Sequence, residues 1–264
     1  MDLNIKNKIA LVTGSTAGIG FAIARLLAAE GAMVYINGRS FDKIEAAVKQ
    51  LKTETGNNNI QGIACDFSKP AEIESLLSQL PEVDILVNNV GIFEPKAFEE
   101  ISDADWLKFY EVNVLSGVRL SRVYFPKMIK KDWGRVIFIS SESAIQIPAE
   151  MIHYGMTKTA QLAVSRGLAE LTKGTNVTVN SVLPGPTLSE GVGGFIDDLA
   201  KNQNKSKQDV EQDFFTHMRP TSLLQRFMTT DEIANLVVYL CSPLSAGTNG
   251  AALRVDGGLL KGAV

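Results

Sequence analysis

Thr13-Gly14-Ser15-Thr16-Ala17-Gly18-Ile19-Gly20 stands between the apolar run Ile9-Ala10-Leu11-Val12 and a segment of helical period through Ala22, Ile23, Leu26 and Leu27. This order of strand, glycine-rich turn and helix decides the fold class. Glycines let the chain turn sharply at the strand end, and they let an anion approach the N–H groups at the positive end of a helix dipole. In open α/β sheets the anion at such a turn is a pyrophosphate. The spacing is Gly-x3-Gly-x-Gly rather than the more general Gly-x-Gly-x-x-Gly, and tight strand-to-helix packing alone is the competing explanation. On the first reading, Gly14, Ser15, Thr16, Gly18, Ile19 and Gly20 hold a dinucleotide.

Outward from this turn, short β-branched runs alternate with segments of helical period almost to the C-terminus, which predicts a parallel sheet. The expected strands are Ile9 to Val12, Met33 to Ile36, Ile60 to Ala64, Ile85 to Val87, Arg135 to Ile139, Val177 to Val182 and Ala252 to Val255. Several are apolar throughout, as strands covered on both faces should be. Ile44, Val48 and Leu51 mark the inner face of one helix, and Thr229-Thr230-Asp231-Glu232 has the form of a capping box opening another. The stretch from Leu188 to Gln225 breaks the rhythm. It is too charged to be core and reads either as a lid over a binding site or as a solvated surface excursion.

A length of 264 residues allows two ordinary domains or one large α/β domain. Hydrophobic residues make up 45% and charged residues 21% of the chain, so disorder is not expected. The formal net charge of -3 leaves no basic footprint for a nucleic acid. No apolar stretch is long enough to span a bilayer, and Met1 to Lys6 lacks the apolar centre of a signal peptide, so a soluble cytoplasmic protein is expected. Cys65 and Cys241 read as buried thiols. With only His153 and His217 to draw on, no metal site is expected.

The second expected strand ends in Asn37-Gly38-Arg39-Ser40. An acid at this position would hold a ribose 2′-hydroxyl, whereas an arginine accepts a 2′-phosphate. With no acid present and Arg39 in place, NADP(H) is favoured and NAD(H) remains possible; Arg39 as a plain surface cation is the alternative. Asp66, followed by Phe67 after the third strand, can accept from an adenine amino group or cap a helix.

Tyr154 and Lys158 form an i, i+4 pair on one helical face, a phenol beside an ammonium. A nearby cation favours the phenolate and draws the tyrosine toward a useful acid/base range. Ser141, thirteen residues before Tyr154, closes the fifth strand at the carboxyl edge where ligands bind. The two hydroxyls can converge on one carbonyl oxygen, Ser141 by hydrogen bonding and Tyr154 by proton donation.

Together these residues resemble the short-chain dehydrogenase/reductase family over nearly the whole chain, and within it the 3-oxoacyl-carrier-protein reductases. The motifs are Thr13 to Gly20, Asp66, Asn88-Asn89-Val90-Gly91, Asn113, Ser141, Tyr154, Lys158, Pro184-Gly185 and Val255-Asp256-Gly257-Gly258. The resemblance implies a single Rossmann-like α/β domain over residues 1–264, with a seven-stranded parallel sheet, helices on both faces and a substrate-loop insertion at about 188–225. It also implies a catalytic tetrad of Asn113, Ser141, Tyr154 and Lys158, with Asn113 holding a water that links Lys158 to solvent. Asn89, Gly91, Pro184, Gly185 and Thr187 would complete the cofactor site, together with Tyr154 and Lys158. Members like this one are usually homotetramers, and the apolar tail Leu259 to Val264 would bury against a neighbour. Val90 departs from the family's alanine, adding bulk near the adenosine or the central sheet, and Ser189 stands where threonine is common.

These expectations describe an oxidoreductase moving a hydride between a nicotinamide and a carbonyl or secondary alcohol. An NAD-dependent dehydrogenase of the same fold and a non-catalytic nucleotide-binding sensor are the rivals. Ile145, Ile147, Pro148, Met151, Phe195, Phe214 and Phe215 suggest an apolar substrate, and His153 reads as a packed or solvent-facing residue more than a substrate ligand.

Overall fold

Ile9–Val12, Met33–Gly38, Ile60–Ala64, Ile85–Asn88, Gly134–Ile139, Val177–Pro184 and Ala252–Val255 form strands β1 to β7 in a computed structural model that describes residues 2–203 and 205–263. All pair in parallel, in the order β3-β2-β1-β4-β5-β6-β7. All seven expected strands are present. The differences lie at strand ends, where β2 continues through Gly38, β4 through Asn88 and β6 through Pro184, and β5 begins at Gly134.

The helices are α1 (Gly18–Ala29), α2 (Phe41–Thr55), α3 (Pro70–Gln79), α4 (Asp103–Tyr110), α5 (Ser116–Lys130), α6 (Ile152–Glu170), α7 (Glu190–Gln203), α8 (Lys207–Asp213) and α9 (Thr230–Leu240). Strand side chains alternate between two helical layers, as a period of two requires. Ala10, Val12, Ile85, Val87, Ile137 and Ile139 pack under α1, α2 and α9. Leu11, Leu86, Val136 and Phe138 pack under α3, α5 and the end of α6. Both strand faces are therefore apolar, which is why these runs read as continuous hydrophobic sequence.

Local signals hold where they were clear. In α2, Ile44, Ala47 and Leu51 are buried and Val48 is partly so. At the start of α9, Thr229 Oγ1 accepts from Glu232 N at 3.2 Å and the Glu232 carboxylate accepts from Thr229 N at 2.8 Å, a complete capping box. Both cysteines are buried, and burial pushes each thiol up to about 12. None of the described helices is long and apolar enough to cross a membrane.

Two expectations need correction. The 188–225 stretch does contribute to a core: Ile196, Ala200, Val210 and Phe215 form a satellite cluster with Phe227 just beyond the stretch, and Val192 and Phe214 pack against it. Its charges hid an amphipathic pattern spread over α7, α8 and a wide turn at Phe214–Met218. The tail differs too, since Leu259 and Leu260 are buried within their own chain, while Val264 lies outside the described residues.

The chain reverses its order of strand addition between β3 and β4, so β1 has β2 on one side and β4 on the other. Connections leave in opposite directions at this point and open a crevice at the strands' carboxyl ends. Ile137, fully buried in β5 between β4 and β6, tests the core beneath that crevice. Ile137→Ala is expected to cost about 2–5 kcal/mol, read as a lower urea midpoint at unchanged m-value.

Candidate active site

The glycine-rich turn is shaped by side chains from neighbouring strand ends. Asn37 Oδ1 accepts from Gly14 N at 3.1 Å, and Asn37 Nδ2 donates to Ile63 O and Cys65 O at 3.1 and 3.2 Å. Ser15 Oγ donates to Val12 O at 2.6 Å and accepts from Asn37 N at 2.9 Å. From the other side, Asn89 Nδ2 donates to Thr13 O and Gly14 O, both at 2.9 Å. Sequence reasoning valued Asn37 only as a missing acid and did not see it as the hub of the turn. Its signal was a lone amide at the end of an apolar strand.

Gly14 and Gly18 adopt φ of +60° and +61°, and a Cβ on Gly20 would lie 2.5 Å from both Asn89 Nδ2 and Gly14 O. The glycines thus seat α1 directly on the ends of β1 and β4. The N-terminus of α1 carries no side-chain cap on Ala17 and no acid in its first turn. Its N–H groups remain available to an anion, so the turn fits a pyrophosphate.

A cavity of about 370 Å³ opens beside the turn, lined by Gly14, Thr16, Arg39, Asp66, Phe67, Asn89, Val90 and Gly91. Asp66 does not cap α3, whose N-cap is Lys69. Its Oδ1 instead accepts from Ser68 N at 3.0 Å and Ser68 Oγ at 2.8 Å. Those bonds, led by the backbone one, hold the Asp66 carboxyl below its ordinary range, with Lys69 and Arg39 adding to them. Val90 packs against the core around β4, as its bulk suggested, and also lines this cavity. Ser15 lines neither cavity, because its hydroxyl is spent inside the turn, and Gly18 and Gly20 shape the turn from behind.

Asn89, Gly91 and Ile92 are shared with a second cavity of about 260 Å³ over the carboxyl ends of β4, β5 and β6. Ile19, Ser141, Tyr154, Lys158, Pro184, Gly185, Thr187 and Ser189 line it. Thr187 Oγ1 donates to Gly185 O at 2.9 Å, and Ser189 Oγ accepts from Val192 N at 3.4 Å at the start of α7. Every proposed reacting side chain except Asn113 therefore meets on one cavity wall.

Lys158 Nζ lies 5.6 Å from the Tyr154 ring centroid and donates to Ile139 O at 2.9 Å. It also donates to Gln161 Oε1 at 3.4 Å, and Gln161 Nε2 donates to Asn113 O at 2.6 Å. Asn113 sits in a π-helical turn at Glu111–Leu115, a widening that frequently accompanies functional sites. Its side chain is held by Ile92 and Thr157, so its backbone carbonyl is the group aimed at Lys158, through Gln161. Asn113 is expected to hold a water; its carbonyl accepts from the Gln161 amide, a residue the sequence does not single out, and keeps one lone pair for another donor.

The expected fall in the tyrosine pKa is reversed in this structure. Burial pushes the Tyr154 phenol up, the Glu142 carboxylate adds to the rise, and the Ser141 hydroxyl beside it pulls the other way. Burial also brings Lys158 down to about 8, against the pull of Glu142. Desolvation is the leading cause for both members of the pair.

The far wall was only partly foreseen. Met151, Phe214, Met218, Phe227, Val192 and Ile196 supply apolar surface, but Glu142, Glu150 and Arg219 bring charge. Ile145 and Ile147 are exposed outside the cavity, Phe215 lies in the satellite core, and the Phe195 side chain lies outside the described residues. His153 is fully buried against Phe109, with ring centroids 4.0 Å apart, and burial lowers its pKa, so it is a packing residue.

A family model for the short chain dehydrogenases matches residues 8–199. The chain belongs to this family. It is 52% identical over 261 residues to the oxidoreductase YvaG of Bacillus subtilis, covering 99% of each chain. It is 33% identical over 261 residues to the 3-oxoacyl-[acyl-carrier-protein] reductase FabG of Escherichia coli, covering 97% of this chain and 99% of the relative. Among solved structures, the L-sorbose reductase of Gluconobacter frateurii, complexed with NADPH and L-sorbose, superposes with a TM-score of 0.92 at 33% identity, over 99% of this chain and 100% of that one. As a short-chain dehydrogenase, the protein is an enzyme of oxidoreductase class acting on CH–OH or C=O groups.

The state of Lys158 has a measurable consequence. The ammonium is present below its pKa of about 8 and lost above it. Carbonyl reduction is expected to hold level through neutral pH and decline as pH rises past about 8, which a kcat pH profile reads.

Proposed function

We propose that this short-chain dehydrogenase is an NADP(H)-dependent carbonyl reductase, and a secondary-alcohol dehydrogenase in reverse, with Tyr154 as the acid/base residue. The observation that carries the reading is the convergence of Ser141, Tyr154 and Lys158 on one cavity wall that continues into the glycine-turn cavity through Asn89 and Gly91. A nicotinamide cofactor, when bound, supplies or accepts the hydride.

The chain's own residues handle the proton. Burial keeps the Tyr154 phenol protonated, ready to donate to a carbonyl oxygen that is becoming an alkoxide. Lys158, over the face of the tyrosine ring, favours the phenolate left behind and would hold the cofactor ribose. Ser141 hydrogen-bonds the same oxygen and fixes its position. Asn113, through Gln161, holds Lys158 in place.

NADP(H) over NAD(H) is supported by Arg39 on the cavity wall and by Asn37, whose amide is spent on the turn and which puts no carboxylate where a 2′-phosphate would lie. Asn89, Gly91, Pro184, Gly185 and Thr187 are read as further cofactor contacts, and Asp66 and Phe67 as the adenine end of the site. Ser15 is read as support for the turn.

Tyr154→Phe is expected to lower kcat for carbonyl reduction by about a thousandfold while NADPH still quenches protein fluorescence at near-unchanged affinity. Near-normal turnover in that variant would rule out the proposed mechanism. Arg39→Ala is expected to weaken NADPH binding by about tenfold or more and to leave NADH binding within about twofold, through loss of the phosphate partner. Equal losses for both cofactors would assign Arg39 a structural role.

A further inference from the structure

Glu142 follows Ser141 at the mouth of β5, and its carboxylate accepts the Ser141 hydroxyl proton. Ser141 Oγ accepts in turn from Ser143 N at 3.1 Å. A serine hydroxyl has a single proton to give. While that proton points at Glu142, Ser141 presents only lone pairs to a carbonyl oxygen over Tyr154. A plain ketone therefore meets an unfavourable choice. Either its oxygen goes without the serine bond, or Ser141 turns away and leaves a buried carboxylate short of a donor.

The rest of the wall relieves Glu142 only in part, through one ion pair with Arg219. Arg219 Nε lies 3.6 Å from Glu142 Oε1, while an Arg219 terminal nitrogen lies 3.1 Å from Glu150 Oε1. The side chains of Glu142 and Arg219 are only 9% and 11% exposed, and Arg219 also stacks over Phe214 at 5.7 Å. Two carboxylates share one guanidinium, so this end of the cavity is rich in acceptors, with Lys158 as the other cation on the lining. A neutral molecule with hydroxyl donors suits such a wall better than an anion does.

We propose that Glu142 is a specificity-determining residue for a carbonyl substrate carrying a hydroxyl on the adjacent carbon, a hydroxy ketone. The substrate hydroxyl donates to the Glu142 carboxylate in place of Ser141, and the freed Ser141 proton turns to the carbonyl oxygen. Two oxygens on neighbouring carbons are spaced much like two hydrogen-bonded oxygens, so one substrate reaches Ser141 and Glu142 together. The exchange leaves every donor and acceptor paired. The carbonyl carbon then takes the hydride from NADPH and its oxygen takes the Tyr154 proton, giving a vicinal diol and NADP+. This inference rests on the reductase reading and narrows its substrate from the apolar carbonyl that the sequence suggested.

The test compares hydroxyacetone with its near-isostere butanone, and with acetoacetate as the anionic rival, following NADPH absorbance for the wild type, Glu142→Gln and Glu142→Leu. NADPH affinity, measured by fluorescence, reports folding in each. Wild-type kcat/KM for hydroxyacetone is expected to exceed that for butanone by about a hundredfold, falling to about tenfold in Glu142→Gln and to about threefold or less in Glu142→Leu. If Glu142→Leu does not fold, the near-isosteric Glu142→Gln decides alone. Equal use of hydroxyacetone and butanone by the wild type, preference for acetoacetate, or a preference unchanged in folded Glu142 variants would overturn the inference while the reductase reading stands. Bound NADPH with no turnover of any of the three would overturn both.

Discussion

Asn37 places each polar group of its side chain on backbone: the oxygen on Gly14, the nitrogen on Ile63 and Cys65. Much else follows from that constraint. The amide joins the carboxyl ends of β1, β2 and β3, and Asn89 joins β4 to the same turn through Thr13 and Gly14. Thr13 Oγ1 completes the knot, donating to Val87 O and accepting from the N–H groups of Asn89 and Val90. Four strand ends with unfinished hydrogen bonds would be costly beside a partly dry cavity. Meeting those needs with side chains leaves the α1 N-terminus as the turn's open donor end, and the anion site is what remains after the strands have satisfied one another.

The side chains proposed to react depend on a second set of ties in the other half of the sheet. Ser140 Oγ donates to Lys158 O, Lys158 Nζ to Ile139 O, and Gln161 to Asn113 O, joining β5, α6 and the π turn. Asn113 reaches back to Ile92 in the loop after β4, where it accepts the amide and donates to the carbonyl. The two knots meet across the short span from Asn89 to Ile92. Neither half of the sheet encloses the reacting centre by itself, which is the physical reason that a chain of this length folds as one domain.

All seven strands, the glycine turn, the capping box at Thr229 and the meeting of Ser141, Tyr154 and Lys158 were legible, because each is written in a local pattern that tertiary contacts only reinforce. Features that depend on a distant partner were not. Gln161 is one polar residue inside a helix until Asn113 O lies against it, and Glu142 is one acid after a strand until Arg219, far along the chain, closes on it. The tyrosine shift was misjudged for a related reason. A phenol and an ammonium four residues apart advertise their attraction, while the burial that opposes it comes from elements brought over them by the fold. The satellite core stayed hidden because its apolar residues are spread over two charged helices and a turn, with Phe227 beyond them.

That satellite core separates two kinds of change. Ile196, Ala200, Val210, Phe215 and Phe227 pack on one another, apart from the two apolar layers of the main sheet. Phe214 and Met218 line the cavity from this segment, whereas the glycine turn is tied to the strand ends by Asn37 and Asn89. The wall that a substrate would meet is thereby separated in the fold from the ties that shape the glycine turn.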